Sequence, residues 1–220
     1  MKTEALARGN KTRQSNKEMR RQRILDIARN QIAEQGFEAF TIKNLASEAG
    51  VTIPTIHNLF GKKADIFEEL CSEMVERTGQ IVFSPDVSNP IEAIVSFTDN
   101  LLALYKKDEA FYRAAFVAGE RIGLFEHKSP QGLYQSSLRI AEDLCQQAKE
   151  NGFLEGRVET KQLAQHLFNC QRIARLDWVS RYITMRQYRK QVLVGMGLVY
   201  MADATPEFKK ELMTFIADNE

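Results

Sequence analysis

The chain has few cysteines and no hydrophobic run long enough to cross a membrane. The three cysteines, Cys71, Cys145 and Cys170, are an odd number, lie far apart and form no C-x-x-C pair. We therefore expect reduced thiols, which are typical of cytoplasmic proteins. The longest apolar run, residues 192–202, contains two glycines and is shorter than the roughly 18 residues that a membrane span needs. The N-terminus is polar and basic, and it lacks the apolar segment of a secretory signal.

Proline is also scarce. The five prolines leave long stretches in which apolar residues recur at the spacing of an α-helix, with few alternating β-branched residues. This pattern predicts an all-α fold. We expect a basic, disordered tail over residues 1–16 and a linker over residues 84–90. Helices are predicted over residues 16–35, from Thr41, from Thr52, and over residues 62–78, 90–106, 108–122, 130–151, 160–183, 186–203 and 206–218.

Charge is distributed unevenly, although the net charge is only +1. Residues 1–65 contain twelve Lys or Arg and seven Asp or Glu, whereas the remainder contains 18 and 22. A basic end on an otherwise neutral chain indicates a polyanionic partner such as nucleic acid. A solvated tail with no partner is the alternative.

The spacing of small and apolar residues around position 50 is typical of a helix-turn-helix. Two short helices that cross steeply need a small residue where they touch and a turn residue that tolerates positive φ. Ala46 and Gly50 supply these, while Val51, Ile56 and Leu59 can hold the second helix on the first. Such a motif presents its second helix to the DNA major groove. An ordinary helical hairpin is the alternative.

Four spaced motifs between residues 20 and 67 extend this pattern. They are Arg23-Ile24-Leu25-x-x-Ala28, Gln35-Gly36-Phe37-x-x-Phe40-Thr41-Ile42, Leu45-Ala46-x-x-Ala49-Gly50-Val51-Thr52-x-Pro54-Thr55-Ile56 and Phe60-x-x-Lys63-x-x-Ile66. Together they resemble the DNA-binding domain of the tetracycline-repressor (TetR) family. The resemblance implies a DNA-binding domain over residues 17–67 and a helical ligand-binding and dimerisation domain over residues 68–220.

Side chains on the exposed part of the second helix are candidates for base contacts. Thr55 and Asn58 can donate to and accept from base edges, and Ile53 can contact a thymine methyl group. His57 stands where the family usually has tyrosine and can reach a phosphate or a base edge. We expect a neutral polar contact there; the alternative is that its charge change near pH ~6.5 makes binding depend on pH. Pro54 stands at a position where family members also have proline.

Other candidates would contact phosphates, although Lys43 could instead reach the groove edge, and the arginines at 20, 21 and 23 an adjacent minor groove. Thr41 and Thr52 begin helices, whose free N–H groups and dipole favour phosphate. Lys63 matches a phosphate contact of the family. The full set of phosphate candidates is Arg20, Arg21, Arg23, Thr41, Lys43, Thr52, Lys62 and Lys63.

The resemblance implies a dimer, because two helix-turn-helix copies must lie about one DNA turn, ~34–36 Å, apart. The implied surface is formed by the helices near 160–183 and 186–203, and close helix approach would explain Gly195 and Gly197. Their apolar stripes could equally be core. They comprise Leu163, Leu167, Cys170, Ile173, Ala174, Trp178, Val192, Met196, Val199 and Tyr200.

The aromatic-rich region 91–150 is either core or, by resemblance, the lining of an apolar ligand cavity. A ligand that prefers the conformation unable to bind DNA would shift the population away from binding. The candidate pocket residues are Phe97, Leu101, Tyr105, Tyr112, Phe116, Glu120, Asn169, Arg172 and Trp178.

Enzyme signatures are missing: there is no G-x-G-x-x-G, P-loop, H-E-x-x-H or G-x-S-x-G, and the three histidines lie far apart. We expect no cofactor and no metal. The sequence favours a cytoplasmic, homodimeric repressor of a palindromic operator, released by a partly apolar small molecule. The alternatives are a DNA-bound architectural or adaptor protein with a protein partner, and a helical enzyme.

Overall fold

The computed structural model describes residues 2–82, 89–121, 123 and 133–220, and every regular element within these ranges is an α-helix. The prediction of an all-α fold is therefore confirmed. The helices are α1 (Lys2–Ala39), α2 (Ile42–Ala49), α3 (Ile53–Phe60), α4 (Lys63–Val82), α5 (Pro90–Lys107), α6 (Glu109–Arg121), α7 (Leu133–Glu150), α8 (Thr160–Val179), α9 (Met185–Met201) and α10 (Pro206–Asn219).

Helix α1 differs from the expectation at its start. It begins at Lys2, so it includes the segment for which we expected a disordered tail. That segment contains no proline and one glycine, and its arginine, lysine, glutamine and alanine residues favour helix. At the other end, the helix is kinked at Gly36 (φ 80°, ψ 163°), the residue predicted to end it.

Helix α8 is shorter than predicted. It ends at Val179, and a tight turn precedes α9. Arg181 in this turn has φ 63°, a left-handed conformation that ends a helix. Thr184 and Gln187 then form a capping box at the start of α9. Most of the predicted linker 84–90 lies outside the described residues, although Asn89 caps α5 by accepting from the Ile91 amide at 2.8 Å.

The chain divides into two compact units. The first comprises Met1–Met74 and Ala110–Ala118, and the second comprises Val75–Glu109 and Gly119–Glu220. The first unit thus continues beyond the predicted end at residue 67 and includes part of α6. In that part Phe111 is buried, and its ring lies 5.2 Å from the Arg29 guanidinium. Arg29 also pairs with Glu73 at 2.8 Å.

In the second unit, Asp203 fastens the loop between α7 and α8 to the end of α9. Its buried carboxylate accepts hydrogen bonds from the amides of Gly156, Arg157 and Val158 at 2.8–3.1 Å. The Asp203 carbonyl accepts from the Glu155 amide at 2.8 Å. One side chain therefore satisfies three loop donors that would otherwise need water.

None of the described helices is long and apolar enough to span a membrane.

Candidate DNA interface and ligand cavity

Helices α2 and α3 form the predicted helix-turn-helix. Gly50 adopts φ 65° at the end of α2, and the Val51 amide donates to the Ala46 carbonyl at 3.0 Å. Ala46 is buried where the small side chain was expected. The conformation at Gly50 disfavours side chains with a Cβ, so the sequence dictates this turn.

Helix α3 has one buried face and one exposed face. Ile56 and Phe60 point into the core of the first unit. Ile53, at 42% exposure, and the exposed Pro54, His57 and Asn58 form the outer face. An exposed isoleucine at the start of a short helix is available for apolar contact with a partner. The candidate base-contact residues Ile53, His57 and Asn58 therefore lie on the exposed face of α3.

Two threonines hold the start of α3. Thr52 caps the helix by accepting from the Thr55 amide at 3.3 Å. Its hydroxyl also lies 2.9 Å from that of Thr55, which is half-buried. The Thr55 hydroxyl thus has a partner within the helix cap.

His57 has a defined hydrogen-bonding role. Its Nδ1 lies 2.8 Å from the Gly61 carbonyl oxygen. A carbonyl oxygen only accepts, so Nδ1 is the donor in this contact. Because His57 is exposed, its other ring nitrogen, Nε2, is a candidate for a hydrogen bond to a base edge in a major groove.

The phosphate candidates differ in their exposure and in their contacts within the protein. Thr41, Lys43, Lys62 and Arg23 are exposed, and Thr41 caps α2 by accepting from the Asn44 amide at 3.2 Å. Lys63 is half-buried instead. Its Nζ donates to the Glu38 carbonyl at 3.1 Å and lies 4.5 Å from the centre of the Phe37 ring.

Arg21 is also tied within the first unit. Its guanidinium donates to the Leu59 carbonyl and to Glu69, and lies 4.3 Å above the Phe60 ring. Arg20 and Arg23 are exposed. The sequence grouped all three as DNA candidates, but Arg21 lies one turn before the buried Ile24 and Leu25. Helical spacing therefore placed it on the packed side of α1.

The second unit contains a small apolar cavity that is partly open to solvent. No charged side chain is among the described residues that line it. Of the candidate pocket residues, Phe97 does so. The full lining is Ile94, Phe97, Ser137, Ile140, Ala141, Leu144, Leu167, Phe168, Gln171 and Met196.

The other candidate pocket residues lie elsewhere. Tyr112 and Phe116 are buried in the first unit. In the second unit, Leu101 is buried, and Tyr105 stacks on Trp178 with ring centres 5.3 Å apart.

Polar candidates have partners outside the cavity lining. Glu120 lies 3.9 Å from Arg172, and Asn169 accepts from Gln165 at 3.3 Å. The sequence analysis missed the α7 residues of the lining, Ser137, Ile140 and Leu144. Their three- and four-residue spacing was the available signal.

The stripes of α8 and α9 are mostly core. Leu163, Leu167, Trp178, Val192, Met196 and Tyr200 are buried, whereas Ile173 on α8 and Leu198 on α9 are 59% and 57% exposed. A Cβ on Gly195 would lie 3.1 Å from the Cys170 Sγ, and one on Gly197 3.0 Å from an Ile216 carbon. Close helix approach thus accounts for both glycines.

The cysteines differ in accessibility. Burial, aided by the Glu68 carboxylate, raises the pKa of the Cys71 thiol to about 12. Burial, aided by Glu142, raises the pKa of the Cys145 thiol to about 12 as well. Cys170 is half-buried. Among the described residues no cluster of histidine, cysteine and carboxylate side chains could hold a metal ion.

Comparison with known proteins gives a family match within the first unit. Residues 24–70 match the model of the family of bacterial regulatory proteins called the tetR family. Comparison with curated proteins gives no match. Among solved structures, a γ-butyrolactone receptor (ArpA-like protein) is 17% identical, with 92% of this chain and 97% of that chain covered and a TM-score of 0.60.

Two further solved structures are also similar in fold to this chain. A TetR-family transcriptional regulator from Marinobacter aquaeolei VT8 is 12% identical, with 91% of this chain and 98% of that chain covered and a TM-score of 0.65. The TetR family protein CprB from S. coelicolor A3(2) is 17% identical, with 91% and 97% covered and a TM-score of 0.60. At these identities the likeness is one of fold.

Proposed function

We propose that the chain, whose residues 24–70 match the model of the tetR family of bacterial regulatory proteins, is a homodimeric transcriptional repressor. It binds a palindromic operator in the cytoplasm, and a small molecule releases it. The observation that carries the proposal is α3. It is capped, packed on one face by Ile56 and Phe60, and exposes Ile53, His57 and Asn58 on the other.

In this proposal, one set of side chains contacts DNA bases and another set contacts phosphates. Asn58 and His57 contact base edges and Ile53 a thymine methyl group, while Lys43, Lys62 and Arg23 contact phosphates. The cap residues Thr41 and Thr52 place helix N-termini where N–H groups can meet phosphates. Pro54, Thr55 and Lys63 shape or flank this surface.

Selection of bound sequences from random duplex DNA at low salt tests the proposal, and we expect a palindromic site. Asn58→Ala should then weaken binding to that site by about 1–3 kcal/mol and relax selectivity at one position. The exposed Lys106 on α5 in the second unit gives a control, because Lys106→Ala should leave site binding unchanged. Failure to enrich any sequence would refute the proposed function.

The dimer surface is proposed on the outer faces of α8 and α9, where Ile173 and Leu198 are exposed. Ile173→Arg should convert a dimer to a monomer in sedimentation velocity, since it places a charge in an apolar contact. Met213→Arg is the matched control, because Met213 is equally exposed at 62% but lies on α10. A dimer that survives Ile173→Arg but dissociates with Met213→Arg would place the interface on α10 instead.

The ligand is proposed to bind in the second-unit cavity. Its lining is apolar except for Ser137 and Gln171, which suits an uncharged, mostly apolar molecule. The γ-butyrolactone receptor of the same fold takes, by its name, an uncharged cyclic ester, which supports this class. The cavity favours a small-molecule effector over the protein partner of an adaptor.

Repression and release follow from a two-state equilibrium. A ligand shifts the equilibrium only by its difference in affinity between the DNA-competent and DNA-incompetent states. Ligands that raise the melting temperature of the free protein should therefore weaken operator binding in anisotropy titrations. Ligands that bind without changing operator affinity would refute release, although not DNA binding.

A further inference from the structure

Gln171 is the one amide side chain among the described residues that line the second-unit cavity. It lies on α8, is 5% exposed, and is surrounded in the lining by apolar groups such as Leu167, Phe168 and Met196. A buried amide has two hydrogen-bonding ends, and leaving either unsatisfied costs free energy. Its two ends therefore indicate what the cavity accepts.

One end of the amide is already used. Gln171 Nε2 donates to the Tyr188 hydroxyl at 3.0 Å. Tyr188 is fully buried, and its ring meets Trp178 edge-on with centres 6.2 Å apart. Trp178 in turn stacks on Tyr105. This aromatic group fixes the Tyr188 hydroxyl, which fixes the direction of the Gln171 amide.

The other end of the amide is Oε1, an acceptor that cannot donate. We propose that Gln171 Oε1 accepts a hydrogen bond from the effector, so that the cavity selects an uncharged, largely apolar molecule carrying a hydroxyl or N–H group. The inference rests on the proposed function, because it takes this cavity as the effector site. It adds that a donor on the ligand is required, and that Tyr188 is the residue that positions the acceptor.

The described residues of the lining include no charged group, which narrows the chemical class of the effector. The buried Arg175, one turn further along α8, lies outside this lining, so a carboxylate or ammonium on the ligand would be desolvated without a counter-ion among the described lining residues, which is costly. A hydroxyl or N–H group aimed at Oε1 gains a hydrogen bond that an ether or a ketone cannot make. The cavity should therefore discriminate between isomers that have the same apolar size but differ in whether they carry a hydrogen-bond donor.

Three probes of nearly equal size test this in the wild-type protein: 1-nonanol, its isomer methyl octyl ether, and 2-nonanone. Isothermal titration should show 1-nonanol binding roughly 2- to 12-fold more tightly than the other two, the range for one neutral hydrogen bond. Equal affinity for the three, or tighter binding of 2-nonanone, would overturn the role of Oε1 and leave the cavity as the ligand site. Failure of all three to bind would overturn both this inference and the proposed effector cavity.

Three variants test whether the preference for the alcohol over the ether is due to the Gln171 amide. Gln171→Met keeps the length of the side chain and should bring the ratio of alcohol to ether affinity close to one. Tyr188→Phe keeps the ring and should lower the same ratio, because the amide loses its fixed direction. Gln162→Met changes an exposed glutamine of α8 and should leave the ratio as in wild type. A wild-type ratio in Gln171→Met would refute the assignment.

Discussion

The clearest prediction concerns two arginines of α1, Arg21 and Arg23. Arg21 is tied to the Leu59 carbonyl, to Glu69 and to the Phe60 ring, whereas Arg23 is exposed. Replacing each with glutamine removes the same charge from the same helix. Arg21→Gln should therefore weaken the first unit, and Arg23→Gln should weaken only its attraction to DNA.

The magnitudes follow from the contacts. The cation–π contact is worth about 0.5–1 kcal/mol and the partly exposed ion pair with Glu69 about 0–1 kcal/mol. The hydrogen bond to the Leu59 carbonyl adds about 1 kcal/mol. Because one guanidinium makes all three, we expect Arg21→Gln to cost about 2 kcal/mol, and the exposed Arg23→Gln less than about 0.5 kcal/mol.

Hydrogen exchange and salt titration separate the two effects. Amides of α3 and the first half of α4 should exchange faster in Arg21→Gln and at the wild-type rate in Arg23→Gln. In anisotropy titrations on the selected site, Arg23→Gln should reduce the slope of log K against log salt by ~0.9, the value for one phosphate. Arg21→Gln should leave that slope unchanged. A slope reduced by Arg21→Gln without faster exchange would mean that Arg21 contacts DNA and that its internal contacts are not maintained.

Three further predictions concern the loop clamp, the thiols and the start of α1. Asp203→Ala should lower the free energy of unfolding of the second unit by about 2–4 kcal/mol, because three loop amides lose their acceptor. Urea unfolding followed by the single tryptophan measures this, and a loss below about 0.5 kcal/mol would show that water replaces the carboxylate. Iodoacetamide should modify Cys170 before the two buried cysteines. In Ile173→Arg the modification of Cys170 should be faster still, because the proposed dimer surface is then exposed. Equal modification rates for all three thiols in peptide mapping would contradict this. Deletion of residues 2–15, which contain four basic residues, should lower the salt slope of DNA binding without changing the selected site, and an unchanged slope would identify a merely solvated segment.

The sequence predicted the first unit well because its signals are local. Gly50 and Thr52 fix a turn and a cap within a few residues, and the apolar spacing of Ile24, Ala28 and Ile32 identifies one helix face. These features need no information about distant parts of the chain. The same holds for most helix boundaries, which follow from glycine, proline and capping residues.

The cavity was predicted less well because its lining depends on how four helices pack. Aromatic residues indicated apolar packing, but Tyr105 and Trp178 stack on each other beside the cavity rather than in its wall. Gln171 was passed over, although a lone amide within an apolar stripe was visible in the sequence. Lys63 and Arg21 also have contacts that the sequence did not predict. The sequence does not distinguish a basic side chain that is exposed to solvent or binds DNA from one that donates to an internal carbonyl.

The discontinuity of the first unit affects how such a protein is made and recombined. During synthesis the segment Ala110–Ala118 leaves the ribosome well after α4, so the hydrophobic core around Phe111 is completed late. A gene fragment that stops at Met74 would encode an unfinished fold, with Arg29 deprived of its aromatic neighbour. Chimeras that exchange operator specificity between relatives should therefore carry this piece of α6 along with the helix-turn-helix, because a single crossover after α4 would leave mismatched halves of one core.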